Sequence, residues 1–209
     1  MKYGKFLYYY PPRPENKITP ESLDYYDDGN FIAQPKSNGS CGMLYLNENF
    51  VKIYDRHKKE KSWLVDGEKV YRGKDWMILC GEWMNKGKFK DKKKWNDKFV
   101  IWDILVYQGE YLTGSTYPER VKLLDEIYGT ESYDDYFYKI TDDFYRVKTF
   151  YKNFKKTFDE IKDIYPDGNG LLEGLVLKMK KGKLKKGINS KNNVLTQLKT
   201  RIPTKNYAF

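Results

Sequence analysis

For most of its length the chain alternates short β-type apolar runs with turn residues, and this pattern commits it to a sheet-dominated fold. The runs cover residues 31–36, 41–47, 50–55, 76–84, 99–107, 145–151, 172–179 and 194–199. Each is rich in branched or aromatic side chains and is bounded by Gly, Pro, Asn, Asp or charged residues, as strands are. Two segments read as helices instead. In 153–164, Phe154, Phe158 and Ile161 recur at the spacing of one helical face. In 117–128, Pro118 suits a first turn and Gly129 a C-terminal stop. One more short helix is expected after Thr19-Pro20. Strands outnumber helices and short loops join them. The reading is therefore α+β, with antiparallel sheets and helices packed outside. No repeat or interdomain linker is evident, so 1–209 reads as a single domain, with the lysine-rich stretch 180–192 as its expected mobile loop.

Composition narrows the function. Aromatic residues make up 17% of the chain, too many rings for a disordered polymer. No apolar run reaches the ~18 residues that a membrane helix needs, and the first ten residues lack a secretory pattern. Cys41, Cys80 and His57 are the only cysteines and histidine. They leave no disulfide framework and no Cys/His zinc site, and a reducing, cytoplasmic setting is expected. A monomer with no membrane partner is expected as well. The net charge of +10 fits a polyanionic partner, although the same excess also serves plain solubility. Clustering favours the partner. Lys86, Lys88, Lys90, Lys92, Lys93, Lys94 and Lys98 share one stretch with Phe89 and Trp95, and Lys178, Lys180, Lys181, Lys183, Lys185, Lys186 and Lys191 form a second without an acid between them. Lysine releases counterions from phosphates, and interleaved rings stack on bases.

The segment Gln34-Pro35-Lys36-Ser37-Asn38-Gly39-Ser40 carries the first chemical signal. Asn-Gly between two apolar runs signals a hairpin, because both residues tolerate positive φ. On that reading Lys36 is an incidental solvated side chain. On the other, the turn holds the amine against a nucleotide phosphate. The pieces that follow decide between them: Tyr54-Asp55-Arg56, Leu79-Cys80-Gly81-Glu82-Trp83, Phe99-Val100-Ile101-Trp102-Asp103-Ile104, Leu172-Glu173-Gly174-Leu175-Val176-Leu177-Lys178 and Leu198-Lys199-Thr200-Arg201. In this order they resemble the collinear motifs of the covalent nucleotidyltransferases, namely DNA ligases, RNA ligases and mRNA capping enzymes. The resemblance covers about residues 31–201. No phosphate-binding Gly-x-x-x-x-Gly-Lys-Ser/Thr loop or kinase glycine loop competes with it.

The resemblance implies an ATP-grasp-like nucleotidyltransferase core that uses ATP and Mg²⁺ or Mn²⁺. Lys36 falls at the nucleotidyl-lysine. Gln34, Arg56, Glu82, Trp102, Glu173 and Lys199 complete the implied ATP site, Lys199 and Arg201 assist catalysis, and Glu173 takes the metal. The residue types suit these tasks. Phosphoryl transfer asks a protein mainly for positioning and charge. Only a neutral amine attacks phosphorus, and moving a lysine from ~10.4 to ~7.5 requires about 4 kcal/mol of differential stabilisation. Burial and neighbouring cations push in that direction, and the ATP phosphates oppose it. Trp102 offers a face to a purine, Glu82 accepts from ribose hydroxyls, Arg56 grips phosphate, and Gln34 keeps a carbonyl for the adenine amine. Outside the pattern, Glu82 and Glu173 would be solvated strand charges, Arg56 an ion pair with Asp55 or Glu60, and Trp102 plain core. The role of Asp103 stays open, with orientation of a neighbouring basic residue as one reading.

Two departures bear on which member this is. Cys41 stands where DNA ligases and capping enzymes place an arginine, and Arg201 stands where the last motif has a lysine, which changes shape at constant charge. Ser40 and Arg56 look more like the nick-sealing RNA ligases. The expectation is therefore an RNA ligase joining 5′-phosphate and 3′-hydroxyl ends, with a minimal DNA ligase as the alternative. An impaired module that only binds nucleotide or nucleic-acid ends is the reading from another class. Phe209 follows closely on the last motif, so no OB-fold is expected, and Lys92, Lys93, Lys94, Lys183, Lys185 and Lys186 are expected to hold the nucleic acid.

Overall fold

The computed structural model describes residues 2–62, 66–85, 92–186 and 193–204. In chain order the elements are β1 (Asn16–Lys17), a 3₁₀ turn (Pro20–Ser22) running into α1 (Leu23–Tyr26), β2 (Phe31–Ser37), β3 (Ser40–Asn47), β4 (Phe50–Asp55) and β5 (Glu60–Lys61). A second 3₁₀ turn (Gly67–Val70) precedes β6 (Met77–Trp83), α2 (Lys92–Trp95), β7 (Phe99–Tyr107), β8 (Glu110–Tyr111) and α3 (Tyr117–Tyr128). The chain closes with β9 (Phe137–Lys139), β10 (Phe144–Val147), α4 (Phe154–Ile164), β11 (Leu172–Met179) and β12 (Gln197–Arg201).

These strands divide between two sheets. One has the order β1-β12-β11-β2, and the other runs β5-β4-β3-β6-β7-β10-β9, with β8 paired to β7. Most neighbours are antiparallel, as expected, but β1 runs parallel to β12 and β10 parallel to β7. The long passage through α3 lets the chain return to β7 in the same sense, which a short hairpin cannot do.

Strand alternation explains the core. In β3, Met43 and Tyr45 face one apolar cluster with Tyr3, Tyr8, Tyr9 and Tyr111, while Leu44 and Leu46 face another with Leu124 of α3. Both faces of this sheet are covered, so the run reads as continuously apolar. On the smaller sheet, Phe154, Phe158 and Ile161 of α4 share a cluster with Leu172, Leu175 and Leu177 of β11. The helix α3 is closed at its start by a reciprocal capping box between Thr116 and Glu119, and ends at Gly129 with φ 74°.

Several expectations shift. The run 145–151 holds strand pairing only to Val147, after which Phe150 makes an isolated bridge to Ala33. The run 194–199 starts as a turn, and β12 begins at Gln197. The helix expected from 153 starts at Phe154, because Asn153 is left-handed at φ 63°. The short strand β9 was not expected at all. The segment 180–192 is described only to Lys186, and that part is pinned rather than loose: Leu184 is buried and its backbone exchanges hydrogen bonds with Ser115 and Gly114. Among the described residues no helix is long and apolar enough to cross a membrane.

Candidate active site

The Asn38-Gly39 pair does not make a hairpin. Because β2 belongs to the smaller sheet and β3 to the larger, the chain crosses between sheets at this point. Neither residue has positive φ. Asn38 ties the crossing to the smaller sheet, its backbone N–H donating to Leu171 O at 3.0 Å and its side-chain amide to Gly170 O at 3.2 Å. Gly39 ties it to the larger, its N–H donating to Glu82 Oε1 at 3.2 Å. A Cβ at Gly39 would stand 2.5 Å from Trp83 O, so close approach, not a special φ, requires glycine here.

A cavity of about 670 Å³ opens along this seam. It is lined by Gln34, Lys36, Arg56, Glu82, Trp102, Glu173, Lys199 and Arg201, so the structure brings every residue of the expected nucleotide and catalytic sets to one place. Glu173 is the hub: its Oε1 meets the Lys36 amine in an ion pair and lies 3.0 Å from Arg201 Nη2. Gly174 makes this possible. It has φ 141°, sits in the register shift between Leu172 and Leu175 where β11 meets β2, and a Cβ there would lie 2.2 Å from Thr200 O. The irregularity re-aims the preceding carboxylate into the cavity.

Arg56 does not make the surface ion pair that was its bland reading. Asp55 takes Lys61 and Glu60 takes Lys52, each at 2.8 Å, while Arg56 Nε donates to His57 Nε2 at 3.0 Å. Burial first, then the charges of Arg201, Lys36, Arg13 and Lys17, lowers Lys199 to about 8. Its amine donates to the carbonyl of Pro14 at 3.2 Å. The Cys41 thiol also lines the cavity; burial and the Glu82 charge push it up to about 12, so it supplies neither thiolate nor cation.

Behind Trp102 lies a buried ionic group. Asp103 takes Arg120 in a bidentate pair, Oδ1 to Nε at 2.7 Å and Oδ2 to Nη2 at 3.0 Å. Burial alone would raise Asp103, but Arg120 and Lys178 outweigh it and hold the carboxyl below its ordinary value. Lys178 was expected among the surface lysines, yet it is 2% exposed. Its amine donates to Trp102 O at 3.0 Å and lies 5.0 Å from the indole centroid. Burial lowers it to about 8.

Sequence reasoning missed Arg13 and Pro14, which form one wall of the cavity from the N-terminal segment. No local signal marks them. They arrive because β1 pairs with β12 and because Gln197 reaches back to the Pro12 carbonyl. Of the expected nucleic-acid lysines, Lys94, Lys183, Lys185 and Lys186 do not line the cavity. Lys94 is exposed, with its amine 5.0 Å from the Tyr133 ring, and Lys183, Lys185 and Lys186 are exposed in the segment after β11. The side chains of Lys92 and Lys93, together with Lys86, Lys88, Lys90 and Lys191, lie outside the described residues.

The donor set suits a divalent ion that arrives with a nucleotide. Among the described residues no group of three acidic, Cys or His side chains forms a protein-only cage. Glu173 offers one hard carboxylate at the head of the cavity, and Mg²⁺ is characteristically held by one or two carboxylates plus substrate phosphates.

Comparison with known proteins agrees with this architecture. The mycobacterial DNA ligase D complexed with ATP and MES superposes with a TM-score of 0.53 at 14% identity, over 82% of this chain and 54% of that one. The ligase domain of LigD from M. tuberculosis gives 0.53 at 14% identity, over 82% and 53%. A Lig E DNA ligase, described as binding DNA with a minimal scaffold, gives 0.52 at 14% identity, over 89% and 66%. The chain thus spans about half the length of the first two ligase chains it matches. No curated protein matches it. The family model of the ATP dependent DNA ligase domain matches residues 43–199, most of the chain. On that match the chain belongs to the ATP-dependent DNA ligase domain family.

Proposed function

We propose that the chain transfers AMP from ATP to Lys36 and passes it to a nucleic-acid 5′-phosphate, which a 3′-hydroxyl then attacks to seal the strand. The observation that carries this reading is the meeting of Lys36, Glu173, Lys199 and Arg201 in one cavity, with Glu82 and Trp102 on its other walls.

The steps follow from these groups. The Lys36 amine, having lost its proton, forms a bond to the α-phosphorus as the bond to pyrophosphate breaks. Lys199 and Arg201 place positive charge where the leaving group gathers electrons. A 5′-phosphate oxygen next displaces lysine from the adenylate, and the 3′-hydroxyl oxygen displaces AMP. A divalent ion held by Glu173 would polarise the phosphate oxygens. Glu173 spans Lys36 and Arg201, so it also keeps the amine at the head of the cavity between turnovers.

Membership of a DNA ligase domain family favours DNA ends. The RNA preference read from Ser40, Cys41 and Arg56 receives no support from that match and stands as the second reading, on the specific ground that Cys41 leaves the arginine position without charge. The test is sealing of matched DNA, RNA and mixed nicks, with Lys36→Ala as control. Labelled ATP should leave a Lys36-dependent covalent adenylate. Absence of that label with any divalent ion would reduce the chain to a binding module.

A further inference from the structure

The turn between β4 and β5 carries the basic residues Arg56-His57-Lys58-Lys59 in succession, all of them exposed. Arg56 and His57 line the cavity, whereas Lys58 and Lys59 do not. The turn thus starts on the cavity wall and continues outside it. The acids beside it are already committed: Asp55 Oδ2 takes Lys61 and Glu60 takes Lys52, each at 2.8 Å. Among the described residues no acid pairs with Arg56, Lys58 or Lys59. Positive charge therefore accumulates at the rim with no described acid to offset it.

This turn is firmly built. Asp55 Oδ1 accepts from the backbone N–H of His57 at 2.8 Å and of Lys59 at 3.0 Å. The Asp55 carbonyl accepts from the Lys58 N–H at 3.1 Å and from the Tyr8 hydroxyl at 2.9 Å. The Lys58 amine lies 5.7 Å from the centroid of the same Tyr8 ring. Lys58 itself has φ 64°, in the left-handed region where a Cβ is disfavoured and Gly or Asn is at ease. Turn chemistry alone would place one of those two residues there. A lysine at this position works against folding, and local strain of that kind beside a cavity points to a role in binding.

We propose that this turn grips the phosphodiester backbone of the strand whose 5′ end enters the cavity, with Lys58 and Lys59 neutralising the linkages next to that end. This rests on the strand-sealing reading above. It places the nucleic-acid surface on a rim continuous with the cavity and not on the two long lysine runs. Lysine suits the task, because counterion release from phosphate depends on charge and asks for no particular base.

The experiment measures binding of the full chain to a DNA duplex with a 5′-phosphate at a nick, by fluorescence anisotropy across a salt series. Lys58→Asn keeps the left-handed turn and removes the charge, and Lys59→Gln removes the next one. Each should weaken binding on the order of tenfold at ~0.1 M salt and flatten the slope of log K against log salt by about 0.9, the share of one phosphate. Tm should hold or rise in Lys58→Asn, because Asn tolerates positive φ. A lysine present only to build the turn would instead give a lower Tm and an unaltered slope. Uncharged methylphosphonate linkages next to the 5′ end should weaken binding by the native chain and leave Lys58→Asn/Lys59→Gln nearly unmoved. An unchanged slope in that double variant, or an equal methylphosphonate loss in native and variant chains, overturns the assignment. So does a slope that falls only in Lys183→Gln/Lys185→Gln/Lys186→Gln. Labelled ATP should modify Lys36 equally in native and variant chains, and a loss confined to the variants also counts against the grip. Failure of the sealing reading looks different: the native chain then gains no label, and the salt series reads the turn on its own.

Discussion

Replacing Asp103 by Asn isolates the worth of the ionic group behind Trp102. Asp103 and Arg120 are 2% and 1% exposed, and Lys178 beside them is also 2% exposed. The substitution preserves shape but removes the negative charge that Arg120 pairs with through two hydrogen bonds. Breaking one partner of a buried pair costs about 3–5 kcal/mol, because the other charge stays desolvated. A domain has about 5–15 kcal/mol of stability in total. At roughly 2–4 °C per kcal/mol for a chain of this size, Tm should fall by about 6–20 °C. Thermal and urea unfolding followed by circular dichroism measure this. The pair Lys52–Glu60 is an internal control, since it has a comparable separation of 2.8 Å but side chains 42% and 51% exposed. Glu60→Gln should leave Tm nearly unchanged, because solvent screens an exposed pair. The double variant Asp103→Leu/Arg120→Met should recover most of the loss, because it leaves fewer buried charges stranded. A loss below about 1 kcal/mol in Asp103→Asn, or a double variant as unstable as the single, would refute the reasoning.

Gly174→Ala should abolish adenylate formation while Lys36 remains intact, since the new Cβ collides with Thr200 O and displaces Glu173; mass spectrometry of the protein after incubation with ATP checks this. Arg13→Ala should raise KM for ATP about tenfold by removing one charge-assisted contact, with little change in kcat, in steady-state adenylylation kinetics. Lys199 sits near 8 in the folded chain, so it is charged below that pH and loses its charge above it. The alkaline limb of kcat/KM for ATP should therefore begin near pH 8, and Lys199→Arg, which keeps its charge, should move that limb upward.

The order of the motifs was legible because each lies on a strand whose alternation and length the sequence prints directly. Lys36, Glu82, Trp102, Glu173 and Lys199 reach one cavity once those strands pair in register. Sheet membership was not legible. Turn chemistry is local, so Asn38-Gly39 looks like a hairpin from within a few residues, whereas the partner of each strand is chosen far along the chain. Arg13 escaped for the same reason: it enters through the pairing of β1 with β12. The charge of Lys178 concealed its burial, because a lysine run is read as surface, yet this position faces inward on an alternating strand. The β9 strand was hidden by the acids around it.

The crossing at Asn38-Gly39 has a mechanical consequence. Lys36 ends the inner margin of the smaller sheet, while Glu82 stands on the larger, and one two-residue span joins them. A nucleotide bonded to the lysine and read by the glutamate would act as a rivet through both slabs. Loading the chain would stiffen it across this crossing, and surrender of the adenylate to a strand end would loosen it again.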